Sequence, residues 1–228
     1  MPEQLQANKA PDSDRVALKS QLVRRAMNEL YVPPPAESTF RHGEQERLYD
    51  VAARTIGDCP ITYLEFGVHR GWSMRRIAQR FPHPDARFIG FDSFEGLPEQ
   101  WGPAPAGHFS TGGEAPKMND TRISFVKGWF QNTVVDHLAA HPVSGPTLVH
   151  FDADLYSSTL FLMTTLWHHV AEYYFLFDEF APDEMVAMYD FTRAYPVKFA
   201  FFGATVNEHK HPLPLQVFGQ LSKVPFEL

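Results

Sequence analysis

The chain has 228 residues, 44% of them hydrophobic, and a formal net charge of −7. That length and composition fit one ordinary domain, alone or with an appendage, and exclude global disorder. The acidic balance, with no run of five basic residues, argues against nucleic acid as a partner, and no apolar stretch approaches the ~20 residues that span a bilayer.

The first fifteen residues, "MPEQLQANKAPDSDR", are polar and lack the apolar core of a secretion signal, so a cytoplasmic location is expected. Residues 1–13 read as a loose tail. From Arg15 to Leu30 the apolar positions Val16, Leu18, Leu22, Val23, Ala26, Met27 and Leu30 recur at helical spacing. "VPPPAES" stops that helix, because consecutive prolines donate no backbone hydrogen bonds. A second helix is expected from about Gly43 to Thr55, with Leu48, Val51 and Ala52 inward and Gly57 just past its end. Together these form an N-terminal helical cap over residues 1–57, or a surface for a homodimer or larger homo-oligomer. Cys59 is the only cysteine, so no internal disulfide is possible, and it reads as a small packing residue.

From Ile61 the pattern changes to alternation. "ITYLEF" reads as a strand, "GWSMRRIAQRF" as a helix, and "ARFIGF" and "RISFVKG" as the second and third strands. "PTLVHF" is a fourth strand, followed by a helix over "SSTLFLMTTLWHHVA". "YYFLF" is a fifth, followed by a helix over "PDEMVAMYDFTRAY", and "KFAFFG" and "LQVFGQL" close the chain. Strands alternating with helices indicate an α/β domain with a doubly wound, mostly parallel sheet. The last two strands, with no helix between them, are expected as an antiparallel edge hairpin. The segment from Ser93 to Asn119 is rich in Gly and Pro and lacks a sustained period. A loop that long is a lid, a binding loop or disordered, and it leaves the carboxyl edge of the sheet, where open α/β sheets bind ligands.

Three clusters carry chemistry. In "YLEFGVHRGWS", Glu65, Gly67, Gly71 and Ser73 lie between a strand and a helix, where glycine admits a ligand to the backbone and the helix start offers free N–H groups. Glycines there also simply make turns, and the spacing departs from G-x-G-x-x-G. In "FIGFDSFEGLP", Asp92 ends the second strand, placed to accept both hydroxyls of a ribose, or to make a strand-end turn. Asp152 and Asp154 follow the fourth strand, and Asp178 and Glu179 the fifth. Carboxylates converging there repel one another unless a cation or proton intervenes, and hard oxygen donors favour Mg²⁺, Mn²⁺ or Ca²⁺; one or two of them could instead cap helices. His209 and His211, the pair His168–His169, and Trp101, His108 and Phe109 of the long loop are further candidates, with solvated loop, helix-end and stacking roles respectively.

The strings "GFDSFEGLPE", "KGWF", "DADLYSST" and "DEF" resemble, in order from Ile61 to Glu179, the macrocin O-methyltransferase family. This is a metal-dependent branch of the class I S-adenosylmethionine methyltransferases acting on natural-product sugars and related hydroxyls. The resemblance implies a Rossmann-like, seven-stranded methyltransferase domain over 58–228 and a small-molecule hydroxyl acceptor. It also implies that Glu65, Gly67 and Gly71 line the methionine end of S-adenosylmethionine, that Ser73 binds the cofactor too, that Asp92 takes the ribose with Ser93 beside it, and that Gly128, Trp129 and Phe130 lie near the adenine. Asp152, next to the cofactor, would hold Mg²⁺ (or Mn²⁺) with Asp178 and Glu179, and Asp154 would be the general base. The family commonly shows two aspartates where this chain has Asp178-Glu179. Two other functions fit parts of the pattern. "VHFDADL" matches the D-x-D of a Mn²⁺-dependent glycosyltransferase, and a non-catalytic cofactor-binding regulatory protein could keep the first two clusters.

Overall fold

The computed structural model describes residues 12–207 and 213–225, with side chains from residue 18 onward. The expected histidines His209 and His211 lie outside the described residues.

Helix α1 (Asp12–Glu29) ends before the Pro33–Pro35 run, as its spacing requires. Strand β1 (Thr39–Arg41) follows, a short element the sequence pattern did not reveal. Helix α2 (Glu46–Ile56) buries Leu48, Tyr49, Val51 and Ala52 on one face and stops at Gly57, whose φ of 83° suits glycine. The layered domain then runs β2 (Thr62–Phe66), α3 (Trp72–Arg80), β3 (Arg87–Asp92), β4 (Ile123–Lys127), α4 (Phe130–Ala140), β5 (Thr147–Phe151), α5 (Tyr156–His169), β6 (Glu172–Phe177), α6 (Met185–Ala194), β7 (Val197–Val206) and β8 (Pro214–Lys223). Helix α4 was also not expected. Only Val134 and Leu138 of its residues are buried, a stripe too thin to stand out in sequence.

The eight strands form one sheet in the order β1-β7-β8-β6-β5-β2-β3-β4. It is mostly parallel and doubly wound, as expected, but has eight strands rather than seven because β1 pairs in parallel with β7. Only β8 is antiparallel to its neighbours. It lies inside the sheet between β6 and β7, not at an edge, so the hairpin turns inward and leaves β7 to be covered by β1.

Strands β2 and β5 are buried throughout, because helices cover both faces. Alternate residues feed two cores. Leu64, Phe66, Val149 and Phe151 pack with α4, α5 and α6. Tyr63, Phe88 and Leu148 pack with α2 and α3 on the opposite face. From β2 the chain winds outward through β3 and β4, then returns to β5 on the other side. The switch point therefore falls between the carboxyl ends of β2 and β5, where such sheets open a crevice. Among the described residues no helix is long and apolar enough to cross a membrane.

Candidate active site

Backbone hydrogen bonds continue the sheet one residue past its strands. Gly67 N–H donates to Phe91 O (3.0 Å), Gly128 N–H to Asp92 O (2.9 Å), Asp152 N–H to Phe66 O (2.9 Å) and Asp178 N–H to Phe151 O (3.0 Å). This ladder sets Gly128, Asp92, Gly67, Asp152 and Asp178 in a row along the carboxyl edge. A cavity of about 320 Å³ opens beside them. Gly67, Asp92, Ser93, Gly128, Trp129, Phe130, Asp152, Asp154, Asp178 and Glu179 all line it, so ten of the residues expected from sequence are brought together there.

The glycines have distinct reasons. Gly67 has φ of 95°, and a Cβ there would run into the carbonyl oxygen of Asp152. Only glycine lets β2 turn away so close to β5. Gly71, in the left-handed region as the residue before α3, packs beneath Pro116 and Met118 and does not line the cavity.

Asp92 is more committed than the sequence implied. Its Oδ2 accepts the N–H groups of Val68 and His69 at 2.8 Å each, and its Oδ1 accepts Phe94 N–H at 2.6 Å. The carboxylate thus ties the turn after β2 to the turn after β3. Two lone-pair sites per oxygen leave acceptor capacity on Oδ1. Ser93 Oγ accepts Glu95 N–H at 3.1 Å.

Glu65 is fully buried behind the row and lines neither this cavity nor its neighbour. Ser73 Oγ donates to its Oε1, while its Oε2 has no hydrogen-bond partner. Burial, opposed by the Ser73 hydrogen bond, pushes its carboxyl up to about 8. His150, across the ladder on β5, accepts or donates at 2.7 Å to Tyr63 Oη, and burial holds its imidazole down at about 3, so it is neutral.

The four carboxylates after β5 and β6 all titrate high. Burial raises Asp152 well above the ordinary range, and the charges of Asp178 and Asp154 add to it. Burial likewise raises Asp178 and Glu179, with His42 opposing both shifts. Asp154 is pushed up to about 7 by burial and by the charges of Glu179 and Asp178. Its backbone sits at φ 60°, unusual for aspartate, which turns the chain sharply into α5. Among the described residues no three His, Cys, Asp or Glu side chains are arranged to enclose a metal ion. The donor chemistry nonetheless suits a hard cation, since carboxylate oxygens that repel one another in a partly desolvated site are what such an ion neutralises.

Residues 93–119 form the outer wall, without helix or extended strand. The loop is pinned by its own backbone: Thr111 and Gly113 N–H donate to Phe94 O, and Leu97 N–H to His108 O. Ser157 Oγ at the start of α5 donates to Glu99 at 2.7 Å and fastens the loop across the mouth. Leu97, Trp101 and Phe109 face the cavity, while His108 instead stacks edge-on against Phe109 with centroids 4.3 Å apart. His168 and His169 lie in the last turn of α5, away from the site. Cys59 is a partly buried free thiol against the α2–α3 core.

Several residues near the site were not singled out in the sequence. Ser158, on α5, lines the cavity. Glu184 is fully buried just before α6, with Thr159 Oγ1 at 3.4 Å from Oε1 and no partner on Oε2; burial and the charge of Asp154 raise it well above the ordinary range. A second, smaller cavity of about 130 Å³ adjoins Asp152 and Asp178 and is lined also by Gln45 and Tyr49, from a segment read only as a cap.

The strand order, the switch point and the row of edge residues define a Rossmann-like fold of the class I S-adenosylmethionine-dependent methyltransferases. A family profile described as "Methyltransferase domain" matches residues 64–177, half of the chain, and the chain belongs to that family. No curated protein sequence matches it significantly. Among solved structures it is similar in fold to CalS11, described as a calicheamicin methyltransferase, at 22% identity and TM-score 0.56, covering 95% of this chain and 97% of that one. It is also similar to the O-methyltransferase NovP, at 19% identity and TM-score 0.54 over 93% and 100% of the two chains. A third is the O-methyltransferase TomG from Streptomyces achromogenes, at 15% identity and TM-score 0.50 over 98% and 100%.

Proposed function

We propose that the protein moves the methyl group of S-adenosylmethionine to a hydroxyl oxygen of a small natural-product or sugar-containing metabolite, with Mg²⁺ or Mn²⁺ held by Asp152, Asp178 and Glu179. The observation that carries the reading is the cluster of half-buried and buried carboxylates just after β5 and β6, lining one cavity with Gly67, Asp92 and Gly128. The O-methyltransferases of similar fold support an oxygen acceptor, and TomG was solved in complex with S-adenosylmethionine. The bound sulfonium supplies an activated methyl group, and the cation lowers the pKa of the acceptor hydroxyl.

This chain's own side chains do the rest. Gly67 admits the cofactor to the backbone of the first turn, beside Glu65, Gly71 and Ser73. Asp92, with Oδ2 already saturated, takes one ribose hydroxyl on Oδ1, next to Ser93. Gly128, Trp129 and Phe130 flank the adenine. Asp154 takes the proton from the acceptor hydroxyl, and its burial favours the protonated form that this transfer produces. Holding both reactants in line contributes on the order of 7–11 kcal/mol. The 93–119 wall excludes water. Residues 58–228 carry the cofactor and 1–57 serve as a cap, in a cytoplasmic homodimer or larger assembly.

The test is a thermal melt with S-adenosylhomocysteine or UDP, each with and without Mg²⁺. At about a hundred times its Kd a ligand adds roughly 2.7 kcal/mol, and each kcal/mol moves Tm by roughly 2–4 °C in a domain of this size. A rise of about 5–10 °C with S-adenosylhomocysteine and none with UDP is expected. A shift with UDP and Mg²⁺ alone would assign the carboxylates to a sugar-nucleotide site instead.

A further inference from the structure

One wall of the larger cavity is left without a role by the cofactor and the cation. It comes from the loop after β3 and is apolar: Leu97, Pro98, Trp101 and Phe109. Neither Trp101 nor Phe109 belongs to the two cores, so core packing does not account for their placement. Phe109 is 43% exposed and has φ of 66°, a left-handed conformation that a bulky side chain rarely adopts. Such strain persists only where the surrounding structure holds it, and it concentrates at ligand sites. The ring meets the imidazoles of His69 and His108, with centroids 5.9 and 4.3 Å away. Trp101 is half-buried and is fixed by a reciprocal backbone pair with Ala104, at 2.9 and 2.8 Å. Two aromatic rings are thus held at the cavity by their backbones.

The facing wall is acidic, with Asp152, Asp154, Asp178 and Glu179. Among the described residues lining this cavity there is no Lys or Arg. His69 is held below its ordinary pKa by desolvation and by the charge of Arg70, so it is neutral at pH 7. Proteins hold phosphate with guanidinium or ammonium groups or with the free N–H groups of a helix start. Helix α5 begins at Tyr156, directly after Asp152 and Asp154, whose carboxylates oppose an anion there. The cation of the proposed reaction is turned to the reacting hydroxyl and does not serve a phosphate.

We infer that Trp101 and Phe109 are the platform for the ring of the methyl acceptor, and that this acceptor is an uncharged ring compound free of phosphate. A nucleoside-diphosphate sugar is excluded by charge. The apolar face of the ring rests on the two side chains, and its hydroxyl edge turns to Asp154. A pyranose and a phenol both offer such a face and edge. The inference rests on the reading under Proposed function and narrows its acceptor.

The test is saturation-transfer NMR on the protein loaded with S-adenosylhomocysteine and Mg²⁺, titrated with phenyl β-D-glucopyranoside, with catechol and with UDP-glucose. Binding of the glucoside or of catechol is expected, and which of them binds names the kind of ring; UDP-glucose should not bind. Trp101→Ala should weaken the bound ring compound about tenfold, the scale of a lost aromatic contact, with S-adenosylhomocysteine affinity within a few-fold of the unaltered protein. Phe109→Ala, read in the same way, carries the test should the first variant not fold. Binding of UDP-glucose, binding of neither ring compound, or unchanged ring affinity in the folded variants would overturn the assignment. So would parallel losses of ring and S-adenosylhomocysteine in both variants, which would make the loop a support for the cofactor. An unaltered protein that does not bind S-adenosylhomocysteine would instead overturn the methyltransferase reading itself, and this inference with it.

Discussion

Asp154 and Glu65 are both buried carboxyls with raised pKa values, yet their roles differ by position. Asp154 lines the cavity and Glu65 stands behind it. Asp154→Asn is nearly isosteric but cannot take a proton. It should reduce turnover at least 10²-fold, the usual scale of general-base catalysis, while S-adenosylhomocysteine affinity stays within a few-fold; full activity would move the proton to another group. Glu65 reports through stability. Its carboxyl ionises near 4.5 in the unfolded chain and at about 8 in the folded one. Between those values the folded state keeps a proton the unfolded chain has lost, so its stabilisation is complete below about pH 4.5 and is lost as the pH rises toward 8. The slope is at most ~1.4 kcal/mol per pH unit for one group. The ligand-free protein should therefore melt lower at pH 8 than at pH 5.5, and Glu65→Gln should flatten that difference. Identical slopes in the two proteins would refute it. The sequence named both residues but not the split between them. Which carboxyl faces the cavity depends on the turn after each strand, and neither composition nor spacing reports φ at Asp154.

At the scale of elements, the sheet is positioned by a few side chains that close helix ends. Arg122, at the entry to β4, donates to Phe81 O (2.6 Å), His83 O (3.1 Å) and Ala78 O (3.1 Å), and pairs with Asp120 at 2.6 Å. It thereby satisfies carbonyls at the end of α3 that the helix cannot pair itself. Arg122→Ala should cost about 2–3 kcal/mol, roughly 5–10 °C in Tm, with S-adenosylhomocysteine still bound by the folded protein. A melt within a degree of the unaltered protein would show that water replaces the guanidinium. The strands β2, β3, β5 and β6 were legible because each is a buried run bounded by polar turns. Helix α4 and strand β1 were not. The first buries two residues, and the second has three residues whose pairing partner lies more than 150 positions away.

The whole molecule carries a net charge of −7 and exposes Leu18 on the outer side of α1. α1 is fastened to the region of α6 by Tyr189 Oη donating to Glu29 at 2.7 Å and by Lys19 with Asp183 at 2.6 Å. Its inner side is therefore used within the chain, and the proposed homo-oligomer would use the outer side. Sedimentation should give the mass of a dimer or larger species, and a monomer mass at every concentration would remove the assembly. Sequence periodicity alone determined the alternation of strands and helices apart from β1 and α4, because burial on two faces demands apolar runs at fixed spacing. Local strings determined which acidic and glycine residues sit at strand ends, because strand-to-helix turns need those residue types. Only the tertiary structure decided that β8 runs inside the sheet, that Asp92 accepts three backbone N–H groups, and that Gln45 joins Asp152 and Asp178 around one chamber. Those outcomes come from segments far apart in the chain, and their register is set by packing that no local pattern encodes.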